Sequence, residues 1–308
     1  MNQKSLFLTI LLLGCLIFTA CAPSAAQTPT IAAPPATVVS TAVLKATPTA
    51  LPTRTPTTEP TATSTPEPAP GAIQVSVQDG MEMVYVPAGD FNMGSFSGIA
   101  DEQPLHSVFL DAYWIDKTEV TNVMYSQCVQ SGACLKPYNQ SNTHFNYYPD
   151  PQYANYPVID LKWSSAEAYC AWAGRRLPTE AEWENAARGT DGRTYPWGDI
   201  LPNSSLLNFN NPVGDTVRVG SYLNGASPYG ALDMAGNVTE WVADWYDAGY
   251  YGISPQSNPT GPLDGQAKVL LGGSWHTDLY NIRSADRHYL PPDTRDIVIG
   301  FRCALTAQ

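Results

Sequence analysis

The stretch that most restricts this chain is Leu161 to Gly189, LKWSSAEAYCAWAGRRLPTEAEWENAARG. Ser164 with Glu167, and Thr179 with Glu182, have capping-box spacing, in which a hydroxyl accepts an orphan helix N–H and the carboxylate reaches back. Gly174 and Gly189 stand where helices end in a left-handed residue, and Leu177-Pro178 stops continuation between them. The spacing predicts one helix from Ser164 to about Ala173 and a second ending at about Arg188. Ala166, Tyr169, Cys170 and Ala173 share one face of the first helix. Ala181, Trp183, Ala186 and Ala187 let the second pack closely. Two helices joined by a hard turn carry no chemistry of their own.

Around this hairpin the sequence alternates strands with irregular chain. Met83 to Gly94 alternates apolar and polar residues about Pro87-Ala88-Gly89 and predicts a β-hairpin. Ser107 to Ile115 predicts another strand, and Thr121 is the expected N-cap of a short helix from Asn122 to Val129. Lys136 to Tyr156 is aromatic and rich in Asn and Pro, which predicts an irregular surface loop. Thr194 to Asp199 reads as a tight aromatic turn. From there to Asp264 periodic runs are few, so the polar backbone must be satisfied by something other than ladders. Lys268 to Trp275 and Ile297 to Leu305 predict the last two strands.

The chain's beginning has another character. Lys4 precedes an apolar run from Leu6 to Phe18, and Phe18-Thr19-Ala20 leads to Cys21. This pattern resembles a bacterial lipobox, which implies a leader over residues 1–20 and a lipid on Cys21, with Cys15 a weaker candidate. The apolar run falls short of the ~20 residues that a membrane span needs. Residues 21–70 form a linker: from Ala22 to Pro70, 11 residues are Pro, 13 Thr and 11 Ala, and none is aromatic. Such a composition cannot bury enough apolar surface to offset ordering entropy and favours extended chain. At ~3.1 Å per residue it could hold a domain up to about 150 Å from a membrane. The expectation is an exported protein, lipid-anchored to the bacterial cell membrane.

Residues 71–308 are left for one globular domain. It holds 13 of the 16 Lys and Arg and 26 of the 28 Asp and Glu, leaving a charge of about −13. Such a balance excludes nucleic acid, whose phosphates demand a basic face, and suits cations or cationic partners. Cys128, Cys134, Cys170 and Cys303 read as two disulfides in an exported domain. Cys128 and Cys134 can close a small loop, and Cys170 would then join Cys303.

Three segments could carry function. Asp233-Met234-Ala235-Gly236-Asn237-Val238-Thr239-Glu240 sets two carboxylates about a Gly-Asn turn, the oxygen-rich chemistry that Ca²⁺ takes; two solvated acids flanking a turn would read the same way. Asn208 to Asp215 is a second oxygen-rich loop. Gly272-Gly273-Ser274-Trp275 precedes a polar, aromatic segment through Arg283 and Arg287 that suits a binding surface. No nucleophile elbow, Walker loop or H-E-x-x-H motif is present.

Together VPAGDFNMGS, DKTEVTN, the hairpin, YPWGD, YGALDMAGNVTEW, LLGGSW and GFRCA resemble the formylglycine-generating enzyme, or sulfatase-modifying factor, family, in the family's order from Met83 to Ala304. The resemblance implies an α+β, C-type-lectin-like fold with little regular secondary structure, stabilised by structural Ca²⁺. One Ca²⁺ site would use Asp233, the carbonyls of Gly236 and Val238, and Glu240. Another would use Asn208 and the carbonyl of Phe209, with Asn211 or Asp215 as its acid. The Cys170–Cys303 bridge also matches.

The family's catalysis does not carry over. Its active members oxidise a substrate Cys with O₂ at a copper-binding Cys pair after the GGS motif. Here Ser274 remains, Thr277 and Ile282 stand about where the thiols belong, and no Cys lies between Cys170 and Cys303. Copper(I) wants soft thiolates, so copper is not expected and the cleft is vestigial. An alternative is an exported oxidoreductase with another metal ligand in the same cleft, such as His276. The C-terminal part, GGSW…RSADR…PPDTR…GFR, is also similar to the ligand-binding region of C-type-lectin-like variable proteins. That similarity makes Trp275, His276, Asp278, Tyr280, Asn281, Arg283, Arg287, His288 and Tyr289 candidates for contacting a protein, peptide or glycan ligand.

Overall fold

The computed structural model describes residues 66–138 and 140–307. The leader, Cys21 and the linker as far as residue 65 lie outside the described residues, none of whose helices is long and apolar enough to cross a membrane. The strands are β1 (Ile73–Val75), β2 (Glu82–Val86), β3 (Gly89–Met93), β4 (His106–Leu110), β5 (Tyr113–Asp116), β6 (Thr239–Trp245), β7 (Lys268–Leu271), β8 (His288–Leu290), β9 (Ile299–Phe301) and β10 (Ala304–Thr306). The helices are α1 (Asn122–Gln130), α2 (Trp163–Trp172) and α3 (Glu180–Arg188). The strands form sheets in the orders β1-β2-β5-β10, β3-β4 and β8-β7-β6-β9. This is the expected α+β architecture, with long irregular connections between short elements.

The helical hairpin forms, with one correction. Thr179 Oγ1 accepts the Glu182 N–H at 3.1 Å and Glu182 Oε2 accepts the Thr179 N–H at 2.9 Å, so the second capping box is real. Gly189 closes α3 at φ +66° and Gly174 follows α2 at φ +73°. The first box does not form: α2 starts one residue early, with Lys162 at the cap and no side-chain capping bond. Trp163 sets that start, donating its backbone N–H to Pro292 and its indole N–H to Val242 O at 2.8 Å. Every residue of α3 is buried. Its acids face bases rather than water: Glu180 pairs with Arg287, and Glu184 with Arg188.

The predicted hairpin over Met83 to Gly94 is also corrected. β2 lies between β1 and β5 while β3 pairs with β4, so the chain changes sheets at Pro87-Ala88. Pro87 has no N–H to continue a ladder, and Met83 to Val86 are all buried rather than alternating. The strand predicted from Ser107 to Ile115 divides in the same way at Asp111. There Asn258, at φ +47°, takes the Asp111 N–H on its side chain and donates its own N–H to Phe109 O. Ile297 to Leu305 divides into β9, parallel to β6, and β10, antiparallel to β5. The short helix after Thr121 and the irregular loop from Lys136 are present as expected. Both disulfides form, Cys128–Cys134 and Cys170–Cys303.

Candidate functional site

Three segments far apart in sequence are stitched together by backbone hydrogen bonds. Gly236 donates to Gly272 O at 2.9 Å, Asn237 to Asn208 O at 2.8 Å and Trp275 to Asn237 O at 2.9 Å. Asn211 donates to Trp275 O and Asn210 to Thr277 O. The turn from Asp233, the loop at Asn208 and the segment after the paired glycines are therefore one junction. Glycine is required there: a Cβ on Gly236, at φ +77°, would sit 2.4 Å from Asn208 O.

The acids of this junction are arranged differently from the sequence reading. Glu240 is fully buried, and Arg302 grips both its oxygens at 2.7 Å while Trp183 Nε1 donates to Oε2 at 2.8 Å. Its carboxylate is thus already committed to a guanidinium. The acid facing Asp233 is Glu119, from DKTEVTN, which the sequence did not single out. Asn237 Nδ2 donates to Glu119 Oε1 at 2.9 Å, and the buried Glu119 Oε2 has no hydrogen-bond partner. Asp233 Oδ2 accepts the Gly220 N–H at 2.6 Å. Burial, and in Glu119 the neighbouring Asp233, push both carboxyls above their usual range. In the adjoining loop, Asn208 Oδ1 is another buried, unpartnered acceptor. Asp215 turns its carboxylate instead to Ser141 and Thr143. Two orphaned, buried oxygens at these positions fit hard cations, although no cluster of three His, Cys, Asp or Glu suited to a metal occurs among the described residues.

Beyond the paired glycines, Thr277 Oγ1 accepts the Ser274 N–H at 2.8 Å and lies 3.1 Å from Ser274 Oγ. Ile282 is fully buried against Tyr195, Leu207 and Ala235. A Cβ on Gly273 would meet Ile282 Cγ2 at 2.9 Å and Thr277 Cγ2 at 3.1 Å, so both side chains converge on one backbone position. A hydroxyl satisfied locally and a packed aliphatic group offer no soft ligand. All four Cys of the described residues are in disulfides.

The candidate binding residues separate into two groups. His276, Asp278, Tyr280 and Tyr289 reach the surface. Asp278 also caps the following turn, accepting from the Tyr280 N–H and from Asn281 Nδ2. Tyr289 stacks on Tyr246 at 3.8 Å. His288 is half-exposed and bonds Asp286 at 2.8 Å, which raises its pKa above the ordinary histidine value. Trp275, Arg283 and Arg287 are less accessible. Trp275 is buried. Arg283 is held bidentately by Glu102 and also by Asp286. Arg287 is buried between Glu180 and the rings of Tyr246 and Tyr251. Trp275 and Arg287 brace the surface from beneath, and Arg283 stands partly exposed at its edge. Beside it opens a cavity of about 340 Å³ lined by Ser95, Phe96, Ser97, Thr194 and Arg283.

Residues 70–307 match the model of the sulfatase-modifying factor enzyme 1-like domain. The chain belongs to the sulfatase-modifying factor family. Among its relatives, the formylglycine-generating enzyme of Streptomyces coelicolor is 35% identical over 283 residues, covering 73% of this chain and 89% of that protein. The serine/threonine-protein kinase pkn1 of Chlamydia caviae is 40% identical over 238 residues, 72% of this chain. The match spans only 38% of that kinase's length. Of solved structures, PvdO from Pseudomonas aeruginosa aligns with a TM-score of 0.66 and 26% identity over 78% of this chain and 100% of its own. Treponema denticola variable protein 1 aligns at 0.62 with 25% identity, covering 77% of this chain and 99% of that one. The sulfatase-modifying factor fold thus carries both the three-loop junction and the surface after Trp275.

Proposed function

We propose that this chain is an exported, lipid-anchored sulfatase-modifying factor protein that binds a ligand and does not oxidise cysteine. The observation that carries the reading is the pair Thr277 and Ile282, converging beneath Gly273 where the family's reaction would need two thiols. The leader over residues 1–20, Cys21 and the linker that it opens support display at the membrane. The exposed His276, Asp278, Tyr280 and Tyr289 supply the mixed polar and aromatic surface that adaptable binding sites use. Copper(I) titration of the purified protein should give no stoichiometric tight binding, whereas a Thr277→Cys/Ile282→Cys variant should gain it. Tight one-to-one binding by the unaltered chain would overturn the reading.

Calcium is the structural ion that this reading includes. Asp233 and Glu119, with the carbonyls of Gly236 and Val238, would hold one ion; Asn208 and the carbonyl of Phe209 would contribute to another. A ligand at a hundred times its dissociation constant stabilises the fold by about 2.7 kcal/mol, which is a shift of roughly 5–10 °C for a domain of this size. Chelation should therefore lower the melting temperature by about that much, and Asp233→Ala should remove most of the dependence. A melting curve that chelator leaves unmoved contradicts the assignment.

A further inference from the structure

A second cavity, of about 220 Å³, is lined by three tyrosines and His144 together with the polar Thr143, Gln152, Asp215 and Thr216. Tyr147 and Tyr153 stack with centroids 5.2 Å apart. Tyr156 stands nearly perpendicular to both, at 89° and 82°. His144 lies over Tyr153 at 4.5 Å. The hydroxyl of Tyr147 is tied to Pro157 O and Thr216 Oγ1, which fixes its ring. These walls exist before any ligand arrives, so binding would cost little ordering.

Asp215 also lines this cavity. It is 5% exposed. Oδ2 accepts from Ser141 Oγ at 2.6 Å, Thr143 N at 2.9 Å and Thr143 Oγ1 at 2.6 Å, and Oδ1 accepts from Thr216 N at 2.8 Å. All four donors are neutral. A buried carboxylate is thus held by dipoles alone, with no cationic partner, in a domain that is already acidic. Ring faces carry negative quadrupole potential, so the walls and the acid favour the same kind of guest. A hard metal ion would want several free oxygens, but both oxygens of Asp215 are already taken up by four neutral donors.

We propose that this cavity binds a ligand through a quaternary ammonium group, its methyls against the tyrosine rings and its charge toward Asp215. Rings with a carboxylate recognise such groups by cation–π attraction. The acidic surroundings favour free choline chemistry over phosphocholine, whose phosphate they repel. Choline titrated calorimetrically into the full chain should bind saturably at one site. Its neutral isostere, 3,3-dimethyl-1-butanol, should bind about tenfold more weakly or worse, and phosphocholine should also bind more weakly. Tyr156→Leu keeps an apolar side chain against the buried Tyr147 and Tyr153, so the variant should still unfold cooperatively while its choline affinity falls about tenfold. Equal binding of the neutral isostere, tighter binding of phosphocholine, unchanged choline affinity in Tyr156→Leu, or no heat at millimolar choline would each overturn the proposal. Displacement of choline by calcium would do so too, because it would mark Asp215 as a metal ligand.

Discussion

Replacing Arg302 with leucine should lower stability by about 3–5 kcal/mol, the cost of leaving a buried charge without its partner. Arg302 is fully buried, and each of its donors has a role. Nε and Nη2 hold Glu240, Nη1 reaches Asp116 O at 3.0 Å, and Nη2 reaches Leu232 O at 2.9 Å. One side chain therefore joins β6, the end of β5 and the approach to the Asp233 turn. Arg302→Leu orphans Glu240 and two carbonyls together. Arg302→Leu/Glu240→Gln should recover part of the loss, because the glutamine carbonyl can still accept from Trp183 Nε1. Urea unfolding midpoints of these two variants and of Glu240→Gln alone measure the effects, and additive losses would show that the pair is not coupled.

Removing the Cys170–Cys303 bridge should cost about 4–5 kcal/mol, roughly twice the loss from removing Cys128–Cys134. The bridges span 133 and 6 residues respectively, and restriction of the unfolded chain grows with the logarithm of the loop. The long bridge joins α2 to Cys303, which lies just before β10, so it fastens the hairpin to two sheets. Alanine at both positions avoids a stray thiol. Equal losses from the two paired substitutions would mean that native packing around the sulfurs, rather than loop length, sets their worth.

Local signals were legible in the sequence where one short stretch decides the outcome. The Thr179–Glu182 box, the cap at Thr121 and the glycines after α2 and α3 all need only neighbours a few residues away. Ser164 had the same signal and lost, because Trp163 gained distant partners at Pro292 and Val242. The sheet changes at Pro87 and Asp111 were hidden because alternation shows that a strand exists, not which strand it joins. β6 was hidden because its first four residues, Thr239 to Val242, are all buried, which leaves little alternation to read. At the junction, Asp233, Gly236 and Asn208 could be picked out by type and spacing. Glu119 could not, since it approaches Asp233 from 114 positions away in the chain. The commitment of Glu240 to Arg302 is likewise a long-range fact, as is the burial of Arg287. Sequence can nominate charged residues, but their partners decide whether they serve the surface or the core.

The proposal that this chain does not oxidise cysteine is tested most directly by turnover. The purified chain, supplied with copper(I), O₂ and a cysteine peptide carrying a sulfatase-type motif, should form no aldehyde, while the Streptomyces coelicolor enzyme converts the peptide under the same conditions. Aldehyde formation above the no-protein background would contradict the account, because Thr277 and Ile282 would then be no obstacle to the chemistry.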